Sequence, residues 1–113
     1  MAQVVFKAVE KQIEVIGGWS PHEGEFFLYL FRSDVENKLV WSNLVDFDPI
    51  DRISTNRLRF KLALFHIEAP AEFWNLVELR QGEAVRHGWD GTQWHDGLFK
   101  QSFPDDVPLA FTV

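Results

Sequence analysis

Apolar and polar positions alternate with a period of two over much of the chain, and that pattern predicts strands. Its most regular instance runs from Arg57 to Leu64. Arg57, Arg59 and Lys61 interleave there with Leu58, Phe60, Leu62 and Leu64, which reads as a half-buried strand with one basic and one apolar face. Phe26 to Phe31 is apolar on both faces and is read as a central strand covered from each side. Leu39 to Val45 is rich in β-formers, and Val4–Val9 with Gln12–Ile16 reads as a hairpin around Glu10-Lys11. Turn chemistry separates these runs at residues 17–24, 34–37 and 46–51.

Residues 70–82 are ambiguous. Pro70 and Gly82 stand where a helix would begin and end, and Phe73, Leu76 and Val77 fit one helical face. Phe73, Val77 and Leu79 also share one face of a strand, and that reading is preferred because a hairpin follows directly. The last ten residues open as a loop punctuated by Pro104 and Pro108 and end in an apolar run that suggests a terminal strand. The expected fold is therefore all-β: a single globular domain over 1–113, an antiparallel sandwich or partly open barrel of about seven to nine short strands. The alternative is an α+β fold with one helix near 71–81.

Composition narrows the function classes. The 113 residues contain no cysteine, which excludes disulfide frameworks, thiol nucleophiles and Cys-ligated metals. Seventeen acidic against eleven basic residues give a net charge of −6, the wrong sign for an electrostatic nucleic-acid binder. Neither a leader-like amino terminus nor an apolar run long enough for a membrane span is seen, so a cytoplasmic protein without membrane contact is expected. Aromatic usage is unusual, with eleven Phe and five Trp beside one Tyr.

Candidate chemistry concentrates in Arg86–Phe99. Asp90-Gly91 between β-type flanks predicts a type I′ hairpin with those two residues as its loop. Trp89 then faces Thr92, His87 faces Trp94 and Val85 faces Asp96, with Arg86 and His95 on the opposite side. A shared face of Trp89, Trp94 and His87, with Asp96 and Thr92 at hand, suits a sugar ring or another small polar ligand. The competing reading makes the indoles staples that hold the hairpin to the core, with His87 filling space between them.

The run Trp89-Asp90-Gly91-Thr92-Gln93-Trp94-His95-Asp96-Gly97-Leu98-Phe99 resembles one blade of the fucose-binding β-propeller lectins, which implies a sugar contact. It carries an extra residue before the closing Gly, and Val85-Arg86-His87 stands where those lectins place a sugar-binding Glu. The motif occurs once and covers about a tenth of the chain, and the family is not assigned on it.

Other constellations point to nothing sharper. His22, His66, His87 and His95 lack helical zinc spacing, and the predicted register sends His87 and His95 to opposite faces. Asp46, Asp48 and Asp51 lack the Gly and distal Glu of a calcium loop. No serine sits in a nucleophile elbow and no glycine loop precedes a lysine. The expectation is a non-enzymatic binding module without metal or cofactor, for a small polar ligand, carbohydrate in its sharpest version. The alternative is an acidic protein-interaction or inhibitor domain, of the immunity-protein or virus-encoded regulator type, whose partner is a protein. Oligomeric state is left open.

Overall fold

The structure is a computed structural model that describes residues 2–34, 38–44, 53–80 and 85–98. Strand β1 (Ala2–Ala8) turns through a short 3-10 segment (Val9–Lys11) into β2 (Ile13–Ser20), with Gln12 in the left-handed region at φ 55°. Strands β3 (Glu25–Arg32) and β4 (Leu39–Ser42) continue an antiparallel meander. Two helices follow, α1 (Thr55–Leu64) and α2 (Phe73–Glu78), and then the hairpin of β5 (Val85–Trp89) and β6 (Trp94–Leu98). Strand β5 pairs in parallel with β1, Val4 lying beside His87. The result is one open, mixed sheet in the order β4-β3-β2-β1-β5-β6.

The all-β sandwich or barrel is thus overturned: the described residues form an α+β fold with two helices on one open mixed sheet. The run 57–64 misleads because Leu58 and Leu62, four residues apart, satisfy both the strand and the helix period. Phe60 and Leu64 decide between them. A strand would bury all four, whereas here Leu58 and Leu62 are buried and Phe60 and Leu64 are 60% and 56% exposed. Local chemistry agrees with the helix. Ser54 is its N-cap and accepts from the Asn56 amide at 3.2 Å, and no β-branched residue follows Thr55 before the helix ends. The basic stripe is therefore no strand face: the Arg59 guanidinium lies 5.4 Å from the Trp74 ring and the Lys61 amine 5.9 Å from that of Trp41.

The preferred strand over 71–81 is also overturned, and the helical alternative holds over Phe73–Glu78. Phe73 and Val77, one turn apart, are buried against the sheet. Glu72 and Arg80 bracket the helix in left-handed conformations, φ 73° and 53°. Thr55 donates to Glu78 and Arg59 lies 3.6 Å from the same carboxylate, so polar contacts tie the two helices together.

The sheet is apolar on both faces. On one, Val4, Phe6, Val15, Phe26, Leu28 and Leu30 meet Leu58, Leu62, Ile67, Phe73 and Val77. On the other, Val5, Ile16, Phe27, Tyr29 and Phe31 form a second cluster with Leu39. Phe26 to Phe31 are all buried, as a two-sided interior strand requires. Burial, together with Glu23, pushes the Tyr29 phenol up to about 12. Asn43 extends the β3 edge beyond β4 by acting as a peptide group: its Oδ1 accepts from Leu28 N at 2.8 Å and its Nδ2 donates to the Phe26 carbonyl at 3.0 Å. The expected strand past Ser42 gives way to this turn, and Val45 and the suggested terminal strand lie outside the described residues. No described helix is long and apolar enough to cross a membrane.

Two adjacent glycines in β2 set the packing distance on the two faces. A Cβ on Gly17 would stand 3.0 Å from the Phe73 ring, and one on Gly18 would stand 2.3 Å from the Ala2 carbonyl and 2.6 Å from the Phe27 ring. The Ala2 carbonyl is backbone and cannot swing aside. Gly18→Ala is expected to cost about 2–3 kcal/mol in urea unfolding, at the upper end of overpacking, and more than Gly17→Ala, whose neighbour is a side chain. Equal costs at the two positions would contradict this packing.

Candidate functional site

The β5–β6 hairpin forms where the sequence places it, but its turn lies one residue further on. Asp90 N donates to the Gln93 carbonyl at 3.1 Å, leaving Gly91-Thr92 as the central pair. A type I′ turn on Asp90-Gly91 would require positive φ at both, and of the two only Gly91 has it, at 106°. The Asp90 side chain is what selects this turn. Its Oδ1 accepts from Thr92 N at 2.7 Å, Thr92 Oγ1 at 2.8 Å and Gln93 N at 2.9 Å. Its Oδ2 lies 2.5 Å from His95 Nε2. These bonds to backbone, His95 and Thr92 hold the Asp90 carboxyl far below the usual carboxylate range.

Moving the turn by one residue shifts the partner strand by two. Trp89 now faces Trp94, His87 faces Asp96 and Val85 faces Leu98, in place of the predicted Thr92, Trp94 and Asp96. A shift of two preserves the faces, so Trp89, Trp94, His87 and Asp96 still share one side, with Arg86 and His95 on the other. Thr92 leaves the strand for the turn, where it serves Asp90.

The shared side faces the helices. Trp94 donates its Nε1 proton to the Ala71 carbonyl at 2.9 Å, and its ring stacks on Phe73 with centroids 6.4 Å apart. Trp89 packs on Trp94 at 5.3 Å, and both indoles lie half-buried against the main core cluster. Beneath them His87 is buried, its Nδ1 2.5 Å from the exposed Asp96 carboxylate. The indoles are engaged by protein on the side where a sugar would stack.

The opposite side of the hairpin is bare. It carries Arg86, Gly88, His95 and Gly97, and among the described residues a Cβ on either glycine would meet nothing within 4 Å. Across the parallel junction with β1 the same surface continues as Val5 and Lys7, with Glu14 opposite Lys7 on β2. A groove of about 410 Å³ opens there, lined among others by Val5, Lys7, Glu14, Arg86 and Gly88. None of Lys7, Glu14 and Arg86 makes an ion pair among the described residues. Gln3, beside Arg86 in the ladder, is buried with no partner for its Oε1 among the described residues.

Sequence reasoning missed this groove because its residues come from strands far apart in the chain. The legible signal was Gly88, a small residue in a hairpin otherwise crowded with rings. Among the described residues no three His, Asp or Glu side chains converge as a cation site, and the cluster Asp46, Asp48, Asp51 lies outside them.

Two outcomes follow from this geometry. Trp94→Ala is expected to cost about 3 kcal/mol in urea unfolding, since it removes a ring stack and the Nε1 hydrogen bond to Ala71, and Trp89→Ala is expected to cost less. The Asp90 carboxyl is expected to stay ionised in an NMR titration while exposed carboxyls protonate. Its folded-state pKa is depressed, so its support of the turn is complete above the ordinary carboxylate pKa and is lost as pH falls through the lower value. An ordinary midpoint for Asp90 would show that the turn contacts do not form.

Comparison of the chain with protein-family models, with curated proteins and with solved structures finds no match, and the functional reading rests on the geometry of this hairpin and its groove.

Proposed function

We propose that this domain is a non-enzymatic binding module whose site is the glycine-floored groove between β1 and β5, and whose ligand is small, polar and acidic. The observation that carries the reading is the groove of about 410 Å³ in which two cations, Lys7 and Arg86, make no ion pair among the described residues and stand with Glu14 and Asp90 around the backbone of Gly88. That volume falls in the range of small-ligand sites, roughly 300–1,000 Å³. A second hollow, at Ser20, Glu23, Phe27 and Tyr29, has only about 110 Å³. Carbohydrate remains the sharpest version, moved from the indole side to the bare side. A sugar acid would lay its ring on the Gly88 backbone, set its carboxylate between Lys7 and Arg86, and offer hydroxyls to Glu14.

A protein partner is the second reading. Phe60 and Leu64 lie one turn apart on α1 and stay largely exposed, as does Ile53. Such a patch is what an interaction domain would present.

Glucuronic acid titrated into labelled protein is expected to shift the Lys7, Arg86 and Gly88 amides saturably, with an affinity of about millimolar, while glucose does not. Gly88→Leu fills the groove and should abolish those shifts, leaving the melting temperature within about 2 °C because the new side chain enters open space. Shifts that persist in the Gly88→Leu protein, or no saturable shift at all, would remove the groove as the site.

A further inference from the structure

The two edges of the sheet are built differently. Strand β4 has four residues and a register irregularity opposite Leu30 and Phe31, and short, irregular edges resist pairing with other chains. Strand β6 has five residues in continuous register with β5, and contains neither proline nor lysine. No described strand lies beyond it, and His95, Asp96 and Gly97 are all exposed.

The phase of the ladder shows which groups face outward. Asp90 and Gln93 form a bonded pair, and bonded and non-bonded pairs alternate along an antiparallel ribbon. His95 and Gly97 therefore bond inward to Gly88 and Arg86. Trp94 and Asp96 stand in non-bonded pairs and direct their N–H and C=O groups away from β5. The close approach of Trp89 and Trp94 fits that phase, because side chains of non-bonded pairs lie nearer each other.

The geometry points to β6 as a docking edge for an extended peptide segment of another protein, which adds a seventh strand through the Trp94 and Asp96 main chain. Charge and shape select its side chains. On the helix side it passes Asp96, whose side chain is 74% exposed, so basic residues belong there. On the bare side it passes Gly97, where a Cβ would meet nothing within 4 Å among the described residues, which leaves room for a bulky apolar residue. A second copy of this chain fits worse, since it brings a charge of −6 against −6 and another Asp96 to the same edge. This site is separate from the groove: its hydrogen bonds are made by β6 main chain, and the groove lies between β1 and β5.

The probe is an acetylated, amidated heptapeptide, Lys-Val-Lys-Leu-Lys-Val-Lys, added to the full chain. Amide hydrogen exchange at Trp94 and Asp96 should slow by about tenfold or more, with little change at His95 and Gly97, which are already bonded. Asp96→Pro, which deletes an outward N–H and no ladder bond, should weaken peptide binding at least about tenfold. Asp96→Asn keeps the N–H and should stay within about fivefold, the most that one exposed ion pair is worth. The same peptide N-methylated at alternate residues on its pairing edge should not bind, and Gly88→Leu should bind as the parent does. The exchange measurement needs no variant, so misfolding of the Asp96→Pro protein would leave it decisive. Absence of binding, protection elsewhere, equal binding of the methylated peptide, or protection of Trp94 and Asp96 by self-association without peptide would each overturn the proposal.

Discussion

The fold turns on the seating of Phe73 over Gly17. The missing side chain at Gly17 lets α2 settle onto the sheet until the Phe73 ring reaches the backbone of β2. From that seat Phe73 meets Phe6 edge-on at 4.9 Å, Trp74 edge-on at 4.9 Å and Trp94 in a stack at 6.4 Å. One ring thus joins the meander, the second helix and the terminal hairpin. Without it the hairpin indoles would have no wall to close against, and the distinction between a crowded and a bare side of β5–β6 would disappear. The candidate site is in that sense a by-product of core packing: the hairpin rings pack toward the helices, and glycine backbone and the charged groups Lys7, Glu14, Arg86 and Asp90 are left to line the groove.

The packing of the face away from the helices follows from the same economy of small residues. Gly18 does on the far face what Gly17 does on the near one, admitting Phe27 beside Tyr29 and Phe31. Aromatic contacts extend outward through Trp19 against Phe26 at 4.8 Å, with the Arg80 guanidinium 4.7 Å from the Trp19 ring. The unusual aromatic content is therefore structural to a large degree. Rings bridge elements that are too short to bury much area by themselves, α2 above all.

What could be read from the sequence depended on whether a segment's two candidate periods diverge. Phe26–Phe31 is apolar at every position, and its interior placement was legible because no helix of six residues needs two buried faces. Leu58 to Leu64 was illegible by periodicity, since residues four apart agree in both schemes. Propensity held the missing information in its run of Arg, Leu, Lys and Ala. The hairpin was legible in kind and in its faces, but its register depended on side-chain bonds of Asp90 that a turn table does not contain. The groove could not be read at all, because Lys7 and Arg86 come to line one hollow only through the parallel β1–β5 junction.

That junction also governs the order in which the molecule can assemble. The strands of the meander β1 to β4 lie close in sequence, and β5–β6 closes through a single tight turn, so each is entropically cheap to form alone. Joining Val4 to His87 is different, because nearly the whole described chain must be gathered before the first bond of that ladder forms. The hairpin consequently joins the rest of the sheet through its longest-range contacts, namely the parallel ladder, the buried His87 and the packing of Trp94 on Phe73 and Ala71. A ligand or partner that grips both β1 and β5 would act as a clasp across this seam, and its binding would be felt as resistance to the opening of the whole domain.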